Sequence, residues 1–357
     1  MIMSKKTVHV VGTGTIGEPL IGLLSDYKES LGIDEVTFHK NSPLTYERAK
    51  VKDLMRRGAA LAVDEEKVES FKEIGLEPSF SAEEAIKGAS VVIDCTPKGI
   101  GHQNKHKYYE KFIDDGRGFL AQGSEQGFGM KYARGINDTA LVNSDDQFVQ
   151  IVSCNTHNIA ALTKSISMVG DSETLDEGRF VCIRRSSDIS QTSTFVPAPE
   201  VGEHGSKQFG THHARDAFEL FQTIDQTPHL FSSAMKTNSQ YMHVIWFNLE
   251  LKETLTLNDV IDRLDANPLI ALTEKTSSGS VFSFGRDHGH FGRILNQTVV
   301  SVPTLAVHDG NEVVGYCFTP QDGNSLLSSI ASATYFLYPD SYEEKIEVLN
   351  HLIFSEV

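Results

Sequence analysis

Over the first 150 or so residues, apolar positions fall in short unbroken runs separated by amphipathic stretches. Residues 7–11 (TVHVV) form a β-branched run that predicts a strand buried on both faces. A Gly-rich turn follows at 12–17 (GTGTIG), and Leu20, Ile21, Leu23 and Leu24 then recur at helical spacing. With a second strand at 35–39 the chain opens as a βαβ unit. Segment 45–76 carries long, charged, helix-forming patches. Further buried strands are expected at 91–97, where Pro97 stops the run, and at 118–122 and 148–153. Strands alternating with helices predict a doubly wound parallel sheet, an α/β class.

Beyond residue 154 the texture changes. Longer runs at 179–185 (RFVCIRR), 241–251 (YMHVIWFNLEL) and 298–307 (TVVSVPTLAV) are divided by polar loops. They predict a mostly antiparallel sheet with helices on one face. The Ser/Gly/His-rich stretch 276–293 reads as an exposed loop, and helical periodicity returns from Ser325. The expected organisation is one domain over 1–153, a second over 154–321, and helices at 322–357 that rejoin the first. The length of 357 residues fits two domains at roughly 150 residues each.

Composition narrows the function classes. Lys and Arg number 32 against 48 Asp and Glu, a formal charge of −16. Such acidity argues against nucleic acid as the main partner, yet leaves room for one small anion held by local cations. Four cysteines, none in a CxxC pair, are too few for a disulfide scaffold or a structural zinc site. No apolar stretch is long enough to span a membrane and no leader pattern opens the chain, so a cytoplasmic setting is expected.

Chemistry concentrates at a few positions. Gly12 allows a tight turn, Gly14 lets a pyrophosphate approach the backbone, and Gly17 lets helix and strand pack closely. Following a strand and opening a helix, they predict a Rossmann dinucleotide-binding domain ahead of an α+β catalytic domain. Glu18 weighs against it, since its charge lies close to the expected pyrophosphate. The second strand ends in His39-Lys40-Asn41-Ser42 with no carboxylate until Glu47, which favours NADP, with NAD as the alternative. Cys154 stands where a strand ends and a helix begins, and the positive end of a helix favours a thiolate. Position alone leaves it open between nucleophile and structural thiol. Cys95, Cys182 and Cys317 read as buried core thiols. Fourteen histidines offer partners for Cys154, and spacing does not choose among them. His204, His212 and His213 match no common metal-ligand spacing, so no metal is expected. Arg184-Arg185 read either as a strand-end charge pair or as an anion clamp.

Taken in order, GTGTIG (12–17), KNSP (40–43), VVIDCTPKGIG (91–101), QGSE (122–125), VSCNT (152–156), IRRSSD (183–188), THHARD (211–216), MH (242–243) and NEVVGYCFTPQ (311–321) resemble the archaeal, type II glyceraldehyde-3-phosphate dehydrogenase family over nearly the whole chain. The resemblance implies Cys154 as nucleophile and His243 as general base. It implies cofactor positions at Gly12, Gly14, Thr15, Ile16, Gly17, Lys40, Asn41, Thr96, Pro97, Gly123, Ser124, Arg185 and Gln321. Ser153, Asn155, Thr156, Arg184, His212 and His213 fall at substrate positions, and a homotetramer is implied. The expected activity is NAD(P)-dependent, phosphorylating oxidation of an aldehyde through a thiohemiacetal and a thioester on Cys154.

The chain departs from the family where His157-Asn158 follow CNT, Ser186-Ser187 follow Arg185, and Ala214-Arg215 follow the histidine pair. These changes suit the same chemistry on a different acyl group. The rival reading is therefore a CoA-acylating semialdehyde dehydrogenase acting on malonyl- or succinyl-CoA. A third is a catalytically silent binding protein on the same scaffold, against which the retained Cys154 and His243 argue.

Overall fold

The structure is a computed structural model that describes residues 5–123, 125–169, 172–187, 195–320 and 322–357. The chain divides into two compact units. The first comprises Met1–Met130, Val142–Ile151 and Ser328–Asn350; the second comprises Lys131–Leu141, Val152–Leu327 and His351–Val357. Among the described residues no helix is long and apolar enough to cross a membrane.

The first part of the chain runs β1 (Thr7–Val11), α1 (Gly17–Asp26), β2 (Glu35–His39), α2 (Arg48–Arg56), β3 (Ala60–Val63), α3 (Val68–Glu73), β4 (Phe80–Ser81), α4 (Ala82–Gly88), β5 (Val91–Asp94), α5 (Ile100–Lys107), β6 (Gly118–Ala121), β7 (Met130–Tyr132), α6 (Asp138–Asn143) and β8 (Phe148–Ile151). The sheet order is β4-β3-β2-β1-β5-β6-β8-β7, with parallel pairing from β4 through to β8. Every residue of β1 and β5 is buried, as strands covered on both faces require. The register sets Val11 beside His39 and Asp94, and Asp94 beside Ala121. The segments leaving β1, β2, β5 and β6 therefore gather at one end of the sheet, where the strand order reverses.

The second part runs α7 (Cys154–Ser167), β9 (Met168–Val169), β10 (Ser172–Glu173), β11 (Leu175–Arg184), β12 (Glu200–Val201), α8 (His212–Gln222), β13 (Leu230–Lys236), β14 (Val244–Leu251), α9 (Leu257–Asp265), β15 (Ile270–Thr273), α10 (Ser278–His288), β16 (Thr298–Ser301), β17 (Ala306–His308), β18 (Glu312–Phe318), α11 (Gly323–Leu337) and α12 (Tyr342–Ile346). Its large sheet has the order β12-β13-β11-β14-β18-β16-β15, with β17 on β18. Pairing is parallel at β11–β13 and β15–β16 and antiparallel in the other described pairs. Ile159, Leu162 and Ile166 of α7, Leu220 and Phe221 of α8, and Val260 and Leu264 of α9 share one core with Phe180, Phe247 and Leu249 of the sheet.

Two expectations need correction. The stretch 276–293 is not simply an exposed loop, because α10 runs through it. Serine and glycine are weak helix formers, but Val281, Phe282 and Phe284 join a cluster with Met242, Ile294 and Phe354, and that packing overrides propensity. The run 298–307 is two strands, broken by a 3-10 turn at Val302–Thr304 where Pro303 has no N–H to give a ladder.

Candidate functional site

In the first unit the glycine turn joins β1 to α1. Gly12 has φ +100, and a Cβ there would stand 3.0 Å from the Cys95 carbonyl oxygen. At Gly17 a Cβ would meet the Gly12 carbonyl oxygen at 2.0 Å, so strand and helix touch backbone to backbone. Gly14 faces open space, with nothing within 4 Å of its missing Cβ. A wall without side chains at the head of a helix fits a pyrophosphate. Glu18, the feature that weighed against this, lies 3.9 Å from Lys50, and Lys50 also donates to the Thr13 carbonyl at 3.0 Å. Its charge is met by a local cation.

Two resemblance motifs turn out to be coupled. Asp94, 1% exposed, accepts from the Thr96 amide (3.0 Å) and hydroxyl, from Asn104 (2.8 Å) and from Tyr109 (2.7 Å). Thr96 is thus tied back to its own strand. Glu125 of QGSE, also buried, accepts from the Gly99 amide at 2.5 Å and the His102 amide at 3.0 Å, capping α5. Gly101 lets it in, since a Cβ there would meet Glu125 Cγ at 2.9 Å. In Glu125→Gln the amide nitrogen would face backbone donors, with an expected cost of about 1–3 kcal/mol. The urea midpoint checks this, and an unchanged midpoint removes the capping role.

The remaining cofactor positions behave differently from one another. Lys40 and Asn41 follow β2, and Pro97 and Gly123 follow β5 and β6 at the same sheet end. The Lys40 ammonium is paired with Glu47, and Asn41 accepts from Lys67 at 2.5 Å. Arg185 lies in the second unit, where its buried guanidinium meets Asp322 at 3.1 Å. Ser124 and Gln321 lie outside the described residues.

In the second unit Cys154 is the first residue of the 14-residue α7. Ser153 caps that helix, its hydroxyl accepting from the Thr156 amide at 3.3 Å and lying 2.9 Å from the Thr156 hydroxyl. The Cys154 carbonyl accepts from two side-chain amides, Asn158 at 2.7 Å and Asn324 at 3.0 Å. Asn158 also donates to the Thr319 hydroxyl (3.1 Å), which donates to Asn155 (3.3 Å). The Thr319 amide in turn donates to the His243 carbonyl at 3.0 Å. Asn324 and Asp322 carried no signal in the sequence, because they act on Cys154 and Arg185 across 170 and 137 residues of chain; Thr319 lay inside a resemblance motif with no role read for it.

His243 directly precedes β14, at the sheet end where Val244 pairs with Ile183 of β11 and Phe318 of β18. Met242 before it takes φ +49, a left-handed conformation seldom adopted by a long side chain. The His243 ring is buried, and the backbone amide of Arg185 donates to its Nδ1 at 3.1 Å. With Nδ1 accepting, the proton of the neutral imidazole resides on Nε2.

His213 Nδ1 lies 3.3 Å from the Ser153 hydroxyl. Burial first, then the nearby His212, Arg184 and His243, hold its pKa well below the ordinary histidine value. Beside it opens a cleft of about 350 Å³ whose lining includes Arg184, Arg215, His212, His213, Thr211 and Glu203. The cleft adjoins the start of α8, whose positive end adds to the two arginines. Arg215 is itself held by Asp216 at 2.9 Å.

The departures from the family separate here. His157 is buried, its Nδ1 3.0 Å from the Ser153 carbonyl, and Asn158 holds the Cys154 carbonyl. Ser187 meets Gln240, at 3.2 Å, and Ala214 is core. Only Arg215 among the substituted positions lines the cleft. The first of the three changes, His157-Asn158, bonds the backbone at the start of α7 itself.

No protein-family model matches the chain. Curated relatives do. The glyceraldehyde-3-phosphate dehydrogenase of Sulfolobus acidocaldarius is 25% identical over 362 residues, covering 98% of each chain. That of Methanopyrus kandleri is 28% identical over 324 residues, 86% of this chain and 85% of its own. That of Methanobacterium formicicum is 28% identical over 300 residues, 82% of this chain and 81% of its own. These similarities span both units, and over nearly its whole length the chain is similar to archaeal glyceraldehyde-3-phosphate dehydrogenases.

Proposed function

We propose that the protein is a phosphorylating, NAD(P)-dependent aldehyde dehydrogenase of the glyceraldehyde-3-phosphate type, acting through a thioester on Cys154. The observation that carries this reading is Cys154 at the head of a capped helix, in the same unit as a cationic cleft whose His213 touches the cap Ser153. Gly12, Gly14 and Gly17 would hold the cofactor's pyrophosphate. A bound nicotinamide would supply the hydride acceptor.

Within the second unit the residues divide the work. The positive end of α7 favours the Cys154 thiolate once its proton has left to water. The thiolate adds to the aldehyde carbon, forming a C–S bond and moving the carbonyl electron pair onto oxygen. The resemblance gives His243 the role of base. The Arg185 amide on Nδ1 favours another role, in which Nε2–H donates to the developing oxyanion. As hydride departs, the C=O bond reforms and Cys154 carries the acyl group. Phosphate then attacks that carbon, the C–S bond breaks, and the thiolate returns with an acyl phosphate as product. Arg184, Arg215 and the start of α8 would hold the substrate's phosphoryl group. A homotetramer in the cytoplasm belongs to the same reading.

The CoA-acylating alternative uses the same thioester, and Arg215, a departure from the family that lines the cleft, would serve the phosphates of CoA as readily as a substrate phosphoryl group. Reduction assays with both nicotinamide cofactors, comparing 1,3-bisphosphoglycerate with malonyl- and succinyl-CoA, separate the two. Turnover is expected with the acyl phosphate; turnover confined to a CoA ester would sink the phosphorylating reading.

A further inference from the structure

At the end of β2 the sequence offers two polar side chains suited to a 2′-phosphate, Lys40 and Asn41. The fold returns a carboxylate to the same place. The 3-10 turn Thr45–Glu47 ahead of α2 brings Glu47 back onto Lys40, and Glu47 also takes Lys50 at 2.6 Å. Lys50 is bonded in turn to the Thr13 carbonyl inside the glycine turn, at 3.0 Å. The Glu47 carboxylate is thus one lysine away from the turn suited to a pyrophosphate. Lys40 and Glu47 are both mostly buried, with side chains 10% and 20% exposed. Lys50 is matched further by Glu18, 3.9 Å away. Beyond Asn41 the pattern repeats, with Lys67 2.6 Å from Asp64, which also meets His39 at 3.2 Å.

We propose that Glu47 determines cofactor choice and selects the unphosphorylated ribose of NAD over the 2′-phosphate of NADP. This rests on the dinucleotide reading of the first unit. The two lysines nearest the glycine turn are already neutralised by Glu47 and Glu18, so a phosphate dianion gains little from them. It would also meet the Glu47 carboxylate, and like charges in a partly buried setting repel. A ribose hydroxyl, by contrast, donates to a carboxylate. In dinucleotide-binding folds an acidic residue near the end of the second strand commonly does this. Here the carboxylate arrives eight positions past His39, carried by a turn.

The test is calorimetric titration of the whole protein with AMP and adenosine 2′,5′-bisphosphate, then with NAD and NADP, none of which needs turnover. The wild type is expected to bind AMP and NAD at least about tenfold more tightly than their 2′-phosphorylated counterparts. Glu47→Gln is expected to reverse or erase that ratio by strengthening the phosphorylated ligands about tenfold or more. Lys40→Gln, a second variant in case the first fails to fold, is expected to leave AMP affinity within about twofold and weaken the bisphosphate further. A wild-type preference for the 2′-phosphorylated ligands, or a ratio untouched by Glu47→Gln, would overturn the role of Glu47 alone. Binding of no adenine ligand by any of the proteins overturns the dinucleotide reading and this inference with it.

Discussion

Replacing Cys154 by alanine is expected to lower kcat by ~10⁴-fold or more while leaving the fold and cofactor affinity intact. Other thiols do not substitute for it. Burial pushes the Cys317 thiol up to about 12 and raises Cys182 likewise; Cys95, a partly exposed residue, is raised by desolvation of its thiol and by the neighbouring Asp94 charge. Only Cys154 combines partial exposure with the first position of a long helix. Iodoacetamide at neutral pH should therefore alkylate one thiol, and peptide mapping should find it at Cys154. Rapid mixing of the wild type with aldehyde and cofactor in the absence of phosphate should give a burst of one reduced nicotinamide per chain, as the thioester accumulates. An alanine variant that retains the burst, or near-normal turnover, would remove the thioester mechanism altogether.

The second large effect is acid sensitivity. Burial, reinforced by the nearby His39, lowers the His9 pKa to about 3. His157 is lowered to about 4 by burial, against a hydrogen bond to Ser153 that raises it. His213 is held well below the ordinary value by burial and its charged neighbours. In each case the folded pKa lies below the unfolded one of 6.5, so in the interval between them the unfolded chain binds more protons. Stability is therefore full above about pH 6.5 and falls as pH drops, by roughly 1.4 kcal/mol per pH unit for each histidine. His157 and His213 belong to the same unit; His157 alone removes roughly 2–3 kcal/mol by about pH 4.5, and His213 acts in the same direction. Urea midpoints measured at pH 7 and pH 5 should differ strongly, and His157→Gln should flatten the dependence. Equal midpoints would show that these rings are not buried and neutral. The paired carboxylates Glu47, Asp53 and Asp64, whose pKa values are lowered, act only at more acid pH.

Much of the first unit was legible because strands buried on both faces read as unbroken apolar runs. TVHVV and VVID stand out for that reason, and Gly12 and Gly17 of the turn between β1 and α1 are explained by backbone contacts that a side chain would block. The α10 helix was hidden because its serines and glycines signal a loop, whereas three large apolar residues decide its state by packing. Around Cys154, the start of the helix was legible, while the Ser153 cap and the long-range supports were not. His157 and Asn158 looked like substrate-loop changes. Three and four residues along a helix from Cys154, they come back over the first turn and hold its carbonyls. Glu47 was read in the sequence only as the first carboxylate past β2; the turn that brings it back onto Lys40 was not legible there.

The two amides on the Cys154 carbonyl have a consequence for how the protein matures. One comes from Asn158, within the same helix; the other comes from Asn324, 170 residues further along the chain. During synthesis α7 gains its first tether as soon as it forms, and waits for the second until α11 has begun to emerge. Contacts of such separation close late in folding. Cys154 thus passes much of the chain's synthesis held at one point instead of two, and its final posture is set only once Asn324 has been made.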